Sequence, residues 1–355
     1  MLNIDLATIL YNDIKKATQA FDKNCCINAH ILSKHQIKRS DLVTSAPKPI
    51  YNYILSKAVK QFVYQCTIQN RQVTLYITSF NDDIDEEGAF DEWAKLMFIW
   101  LHMAFGYATD ICAKALSVYL FPTPFEKKLP DGFHETLSPA HINTGVTWRC
   151  ASVGEIVIYR KEEWFKVFIH ETFHALGLDI APHQVNVIRN NMRRRFPIAS
   201  SFNIAEAYSE AWARIMNVAI YCFINTGGEK SFIKKCASCL ELERKYSLFQ
   251  MQKILTHTGL PYKSLRNDSP ADMMRRRLYR EKTNVFAYYV LGGILMSDPN
   301  AFMEWCYENN DDFLNFGENH KEFDALVDRW SLVEPQTERK FNDHLSTKMS
   351  YFQIK

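Results

Sequence analysis

His170-Glu171-Thr172-Phe173-His174 is the stretch on which the fold and chemistry of this chain turn. On a helix, residues four apart stand one turn above each other on one face. The two imidazoles therefore reach a common point. Glu171 is rotated roughly 100° from His170, so its carboxylate addresses what is bound at that point rather than competing for it. This spacing suits a divalent metal with a base beside it. The flanks agree. Trp164 to Leu176 is apolar on nearly every side, which predicts a buried helix, and buried polar side chains need partners. Gly177 is placed to close the helix as a C-cap. Upstream, Gly154-Glu155-Ile156-Val157-Ile158-Tyr159-Arg160 is β-branched and predicts a strand. The bland alternative is an amphipathic helix with two histidines on its polar side, and the apolar setting weighs against it.

A catalytic zinc site takes three protein ligands and keeps one position open, so a third ligand is required. The run from His170 to Asp179 resembles the opening of the metzincin pattern H-E-x-x-H-x-x-G-x-x-H. Its last position is Ile180, which cannot ligate, and Asp179 and His183 are the nearest alternatives. Further on, Asn203-Ile204-Ala205-Glu206-Ala207-Tyr208-Ser209-Glu210 resembles the thermolysin-type (gluzincin) segment N-E-x-x-S-D. Ala205 stands where that family has Asn, and Glu210 where it has Asp. The resemblance implies Glu206 as third ligand and Glu210 as the acid that accepts the free N–H of a ligand histidine. One turn apart on one helix face, the two carboxylates are spaced for those roles. The competing account is a solvated pair of glutamates on a surface helix. Glu206 is preferred to His183 or Asp179, and the donor set suits Zn2+, although two histidines and one carboxylate can also hold iron.

The expected fold class is α+β and zincin-like, with a mixed sheet in an upper subdomain and a mostly helical lower one. Alternation predicts strands over 62–69 and 72–80 joined by a tight turn at Asn70-Arg71. An acidic loop over 81–87, a buried helix over 90–108, and strands over 116–121, 141–148 and 156–159 follow. Helices are expected over 203–223, 230–255, 271–296, 301–310 and 321–330. Three regions result: 1–60, helical; 61–178, the upper subdomain ending in the HExxH helix; and 179–355, the lower subdomain. The zincin resemblance covers roughly 62–225. It implies that Asn143-Thr144-Gly145-Val146 is the edge strand along which an extended peptide would lie.

The same resemblance implies a peptidase acting on a peptide or protein substrate, with Glu171 as general base and an oxyanion donor from the lower half. In Arg280-Glu281-Lys282-Thr283-Asn284-Val285-Phe286-Ala287-Tyr288-Tyr289, Tyr288 or Tyr289 is the candidate donor, and plain packing is the alternative for both. Composition narrows the rest. The 355 residues carry a net charge of +2, which signals no strong electrostatic partner and no clear nucleic-acid binding. Arg193-Arg194-Arg195 and Arg275-Arg276-Arg277 fit solvated helix faces. Met1-Leu2-Asn3-Ile4-Asp5 lacks a basic n-region, and no apolar run is long enough to span a bilayer. An intracellular, cytoplasmic protein is expected, with no membrane partner. Nine cysteines, an odd number with Cys25 and Cys26 adjacent, point to reduced thiols. Cys236 and Cys239 lack a second pair and suit a helix interior. The aromatic-, Asn- and Lys-rich texture, carried by Lys161 to His170 and Ile142-Asn143-Thr144-Gly145, is similar to that of HExxH proteins of large DNA viruses. That similarity implies a second possibility, a non-catalytic structural or assembly component of a virion.

Overall fold

Alternating β-branched and aromatic residues build the sheet, and its order sets the site. The computed structural model describes residues 2–81, 86–132, 134–336 and 341–354. Its strands are β1 (His30–Ser33), β2 (Lys60–Ile68), β3 (Arg71–Ser79), β4 (Ala115–Leu120), β5 (Gly145–Thr147) and β6 (Val153–Ile158). Its helices are α1 (Ile4–Asn24), α2 (Lys48–Lys57), α3 (Glu86–Ala104), α4 (Pro139–Ile142), α5 (Trp164–Leu176), α6 (Pro182–Arg195), α7 (Ile204–Ile224), α8 (Glu229–Thr258), α9 (Pro270–Leu278), α10 (Gly292–Leu295), α11 (Pro299–Asn309) and α12 (His320–Trp330). The strands form one mixed sheet in the order β1-β2-β3-β4-β6-β5. The fold is thus mixed α and β, in line with the expected class.

Strand alternation sends successive side chains to opposite faces. Val118 and Ile156 join the main core with α3 and α5. Tyr119, Phe121, Val157 and Tyr159 pack on the other face, under Ile50 and Ile54 of α2. β3, β4 and β6 run parallel, whereas β5 pairs antiparallel with β6, Val146 opposite Val157. β5 ends the sheet. The main core runs from Leu6 on α1 to Ile354 and draws on all three expected regions. Leu10, Ile14 and Phe21 of α1 pack there with Phe98 of α3, so α1 shares that core.

Several expectations shift. The hairpin turn falls at Gln69 and Asn70, both with positive φ, and Arg71 opens β3 opposite Ile68. The turn is therefore one residue earlier than alternation suggested, because Asn tolerates the left-handed backbone such turns need. Pro139, at the start of a helical turn, converts the first part of the expected strand 141–148 into α4 and leaves a three-residue β5. The expected helix 271–296 is broken. The chain after α9 crosses to Leu137, whose carbonyl accepts the Lys282 N–H at 2.9 Å, then resumes as a π-helix over Phe286–Leu291 before α10. Most of the expected acidic loop over 81–87 lies outside the described residues. α1 and α2 lie in the expected helical region 1–60, which β1 interrupts, and α6 is an addition.

The thiols also differ from expectation. Cys25 is bonded to Cys66 and Cys112 to Cys150. Both pairings join residues about forty positions apart, contacts that the count of nine does not reveal. Cys236 and Cys239 are buried on α8, as expected. No helix among the described residues is long and apolar enough to cross a membrane.

Candidate metal centre

Helix α5 is buried along its whole length, as its all-round apolar character predicts. Gly177 closes it at φ +67°, a conformation that glycine adopts without strain. His170 and His174 point the same way. Their Nε2 atoms lie 3.1 Å apart, and each is 3.2 Å from Oε2 of Glu206 on α7. Two imidazole nitrogens and a carboxylate oxygen thus meet at one point.

A buried acid stands behind each imidazole. Asp179 Oδ2 lies 2.7 Å from His174 Nδ1. A carboxylate only accepts, so Nδ1 carries a proton, and Nε2 is the nitrogen turned toward His170 and Glu206. Arg149 in turn holds Asp179 Oδ1 at 2.7 Å and its carbonyl at 3.0 Å. Glu210 Oε2 lies 3.2 Å from His170 Nδ1, out of line for a straight hydrogen bond. Glu210 is itself gripped by Lys166 Nζ at 2.9 and 3.0 Å and by Arg214 Nε at 3.0 Å. These charges are all buried, and such pairs hold only when mutually satisfied.

The titration follows. Burial opposes the charged form of His174, yet the Glu206 and Asp179 carboxylates outweigh it and hold its pKa well above the ordinary value. Burial would raise Glu206, but the two imidazoles draw it far below the usual carboxylate range. A pocket that holds a carboxylate ionised between two imidazoles favours positive charge at its centre. A tetrahedral metal about 2.0–2.1 Å from each donor sets them roughly 3.3 Å apart, so the donors present fit zinc.

Glu171 stands outside this triangle and lines the same cleft, a hollow of about 480 Å³ between β5, α5, α6 and α7. Burial raises its pKa, against the pull of His170 and His174. Gly145 is what leaves it room. A Cβ there would meet Val167 Cγ1 at 2.8 Å and Glu171 Oε1 at 3.0 Å.

Of the expected edge-strand residues, Asn143, Gly145 and Val146 line the cleft. Thr144 instead turns its side chain inward, to a cavity of about 30 Å³ behind Glu171 and His170. Tyr288 reaches the centre, its ring 5.8 Å from that of His170. Burial first, then the Glu206 and Glu171 carboxylates, push its phenol well up, so it stays a donor. Tyr289 does not reach it: the side chain is buried on the far side of the segment and donates to the Thr347 carbonyl. Successive residues of a helical segment face apart, so only one of the pair can serve. The alternative ligands are also placed. Asp179 orients His174 rather than joining the triangle, and His183 is exposed beside Glu318. Sequence reasoning missed Arg149, Lys166 and Arg214. Lys166, one turn before His170 on an apolar helix, was the visible signal.

No family model, curated protein or solved structure matches the chain.

Proposed function

We propose that this protein is a zinc-dependent peptidase of zincin type, with His170, His174 and Glu206 as ligands and Glu171 as general base. The observation that carries the reading is the triangle of donors 3.1–3.2 Å apart with a fourth side chain, the Glu171 carboxylate, beside it in an open cleft. A structural site would have no use for that fourth group. Zinc, when bound, acidifies a water and polarises a carbonyl. The chain's own residues supply the rest. The free edge of β5 offers backbone groups to an extended peptide. Glu171 takes a proton from the attacking water and passes it to the leaving amine. The Tyr288 hydroxyl donates to the developing oxyanion. The two disulfides support a setting where thiols oxidise, such as a virion or an extracytoplasmic space, over a reducing cytosol.

The test is a fluorogenic peptide library assayed with and without chelator. Glu171→Gln should keep the metal and the fold while hydrolysis falls by about 10²-fold or more. Glu206→Ala should lose most of its metal by mass spectrometry. Cleavage by the Gln variant at the wild-type rate would remove Glu171 from the chemistry. Chelator-insensitive behaviour with no cleavage of any peptide would favour the assembly role.

A further inference from the structure

We propose that Cys25, Cys66 and His102 form a second, redox-gated site for a soft divalent cation of the zinc class. Three elements meet there. Cys25 caps the end of α1, Cys66 lies on β2, and His102 sits in the last turn of α3. The two sulfurs and one imidazole nitrogen all lie within 4.8 Å of one another. His102 Nε2 is 3.5 Å from Cys25 Sγ. A tetrahedral zinc, about 2.0–2.1 Å from nitrogen and 2.3 Å from sulfur, sets such a pair roughly 3.5 Å apart. His102 is buried, and a neutral imidazole is the form that ligates. The sulfurs are half-buried on the wall of a hollow of about 520 Å³, also lined by the free thiol Cys26. Reductant and ion both have a way in.

The cycle balances. An external dithiol, leaving as its disulfide, or a phosphine with water, leaving as its oxide, supplies two electrons and two protons. The Cys25–Cys66 bond breaks and two thiols form. Binding a divalent ion then releases one proton from each thiol. In the oxidised state the junction of α1, β2 and α3 is closed by the covalent bond, and in the reduced state by the ion. The N-terminal helix is thus held to the core in either environment.

The experiment is a cobalt(II) titration of the full chain, oxidised and phosphine-reduced, followed by absorbance. The reduced protein should take up one additional cobalt with a thiolate-to-metal charge-transfer band, and the oxidised protein should show none. Cys66→Ser should abolish the band. His102→Ala, which leaves the disulfide intact, should weaken binding at least tenfold and carries the test if Cys66→Ser does not fold. A double Cys112→Ser, Cys150→Ser variant should keep the band. Its absence in the reduced wild type, its survival in Cys66→Ser, or unchanged affinity in His102→Ala overturns the proposal. The cleft triangle contains no sulfur, so its failure or success as a zinc site is scored separately.

Discussion

Gly145 and Glu171 act as a unit. The proposed base, Glu171, owes its position to a missing side chain on the neighbouring strand, since any Cβ at 145 would stand 3.0 Å from Glu171 Oε1 and 2.8 Å from Val167. A shift of about 1 Å in a reacting group can cost on the order of 10²-fold in rate. Gly145→Ala should therefore cut hydrolysis at least tenfold while metal content, read by mass spectrometry, stays at the wild-type level. Loss of metal together with activity would show instead that the strand supports the ligands. In the sequence, Gly145 looked like one member of a strand motif. Its reason for being glycine lies across the cleft, on a residue 26 positions later, and no local pattern encodes that.

Among the elements, α5, α7 and the π-helical segment over Phe286–Leu291 define the centre. α5 and α7 are tied by the buried Lys166–Glu210 ion pair, and Arg214 of α7 bonds the same carboxylate. α5 begins at Glu163, a non-glycine residue at φ +57°. Such a conformation costs on the order of 1 kcal/mol or more. It is held by the Glu163 carboxylate, which accepts from Lys127 and from the Met349 and Ser350 N–H groups. π-Helical turns recur at functional sites, and here the segment turns Tyr288 toward His170 and Tyr289 away. Tyr288→Phe should lower the rate constant by about 10²-fold with little change in substrate affinity, as loss of an oxyanion donor does. Tyr289→Phe should leave turnover unchanged and lower thermal stability, which calorimetry would show. The reverse pattern would exchange their roles. Periodicity identified helix here but not its break, because the crossing to Leu137 is a long-range contact.

For the whole molecule, the C-terminal stretch from Phe341 to Ile354 straps the two halves together. Its Thr347 N–H reaches the Lys127 carbonyl, its Tyr351 N–H reaches Glu243, and its Phe352 and Ile354 carbonyls accept from Asn217 and Trp164. Glu243 is fully buried, and burial pushes its pKa up to about 7. Its unfolded value is near 4.3. The folded state therefore holds the proton more tightly. This contribution to stability is full below about pH 4 and is lost as pH rises through 7. Glu243→Gln should remove that dependence. Its stability relative to wild type should improve between pH 5 and pH 8 by an amount on the order of 3 kcal/mol, read from urea melts at each pH. A difference that does not change with pH would mean the carboxyl is ionised throughout.

The spacing of His170, Glu171 and His174, together with the apolar run around them, determined the buried helix and its pair of imidazoles on one face, because helical periodicity is a local property. The strands β2, β3, β4 and β6 were legible for the same reason. Glu206 and Glu210 were legible only through a partial family pattern, and they came to rest beside the histidines. What only the tertiary structure decided was everything that depends on which distant segments touch: Asp179 at His174 Nδ1, Tyr288 rather than Tyr289 beside His170, the cysteine pairings, and the room that Gly145 leaves for Glu171. These are through-space relations between residues far apart in the chain, fixed by packing of the common core, and a one-dimensional pattern carries no term for them.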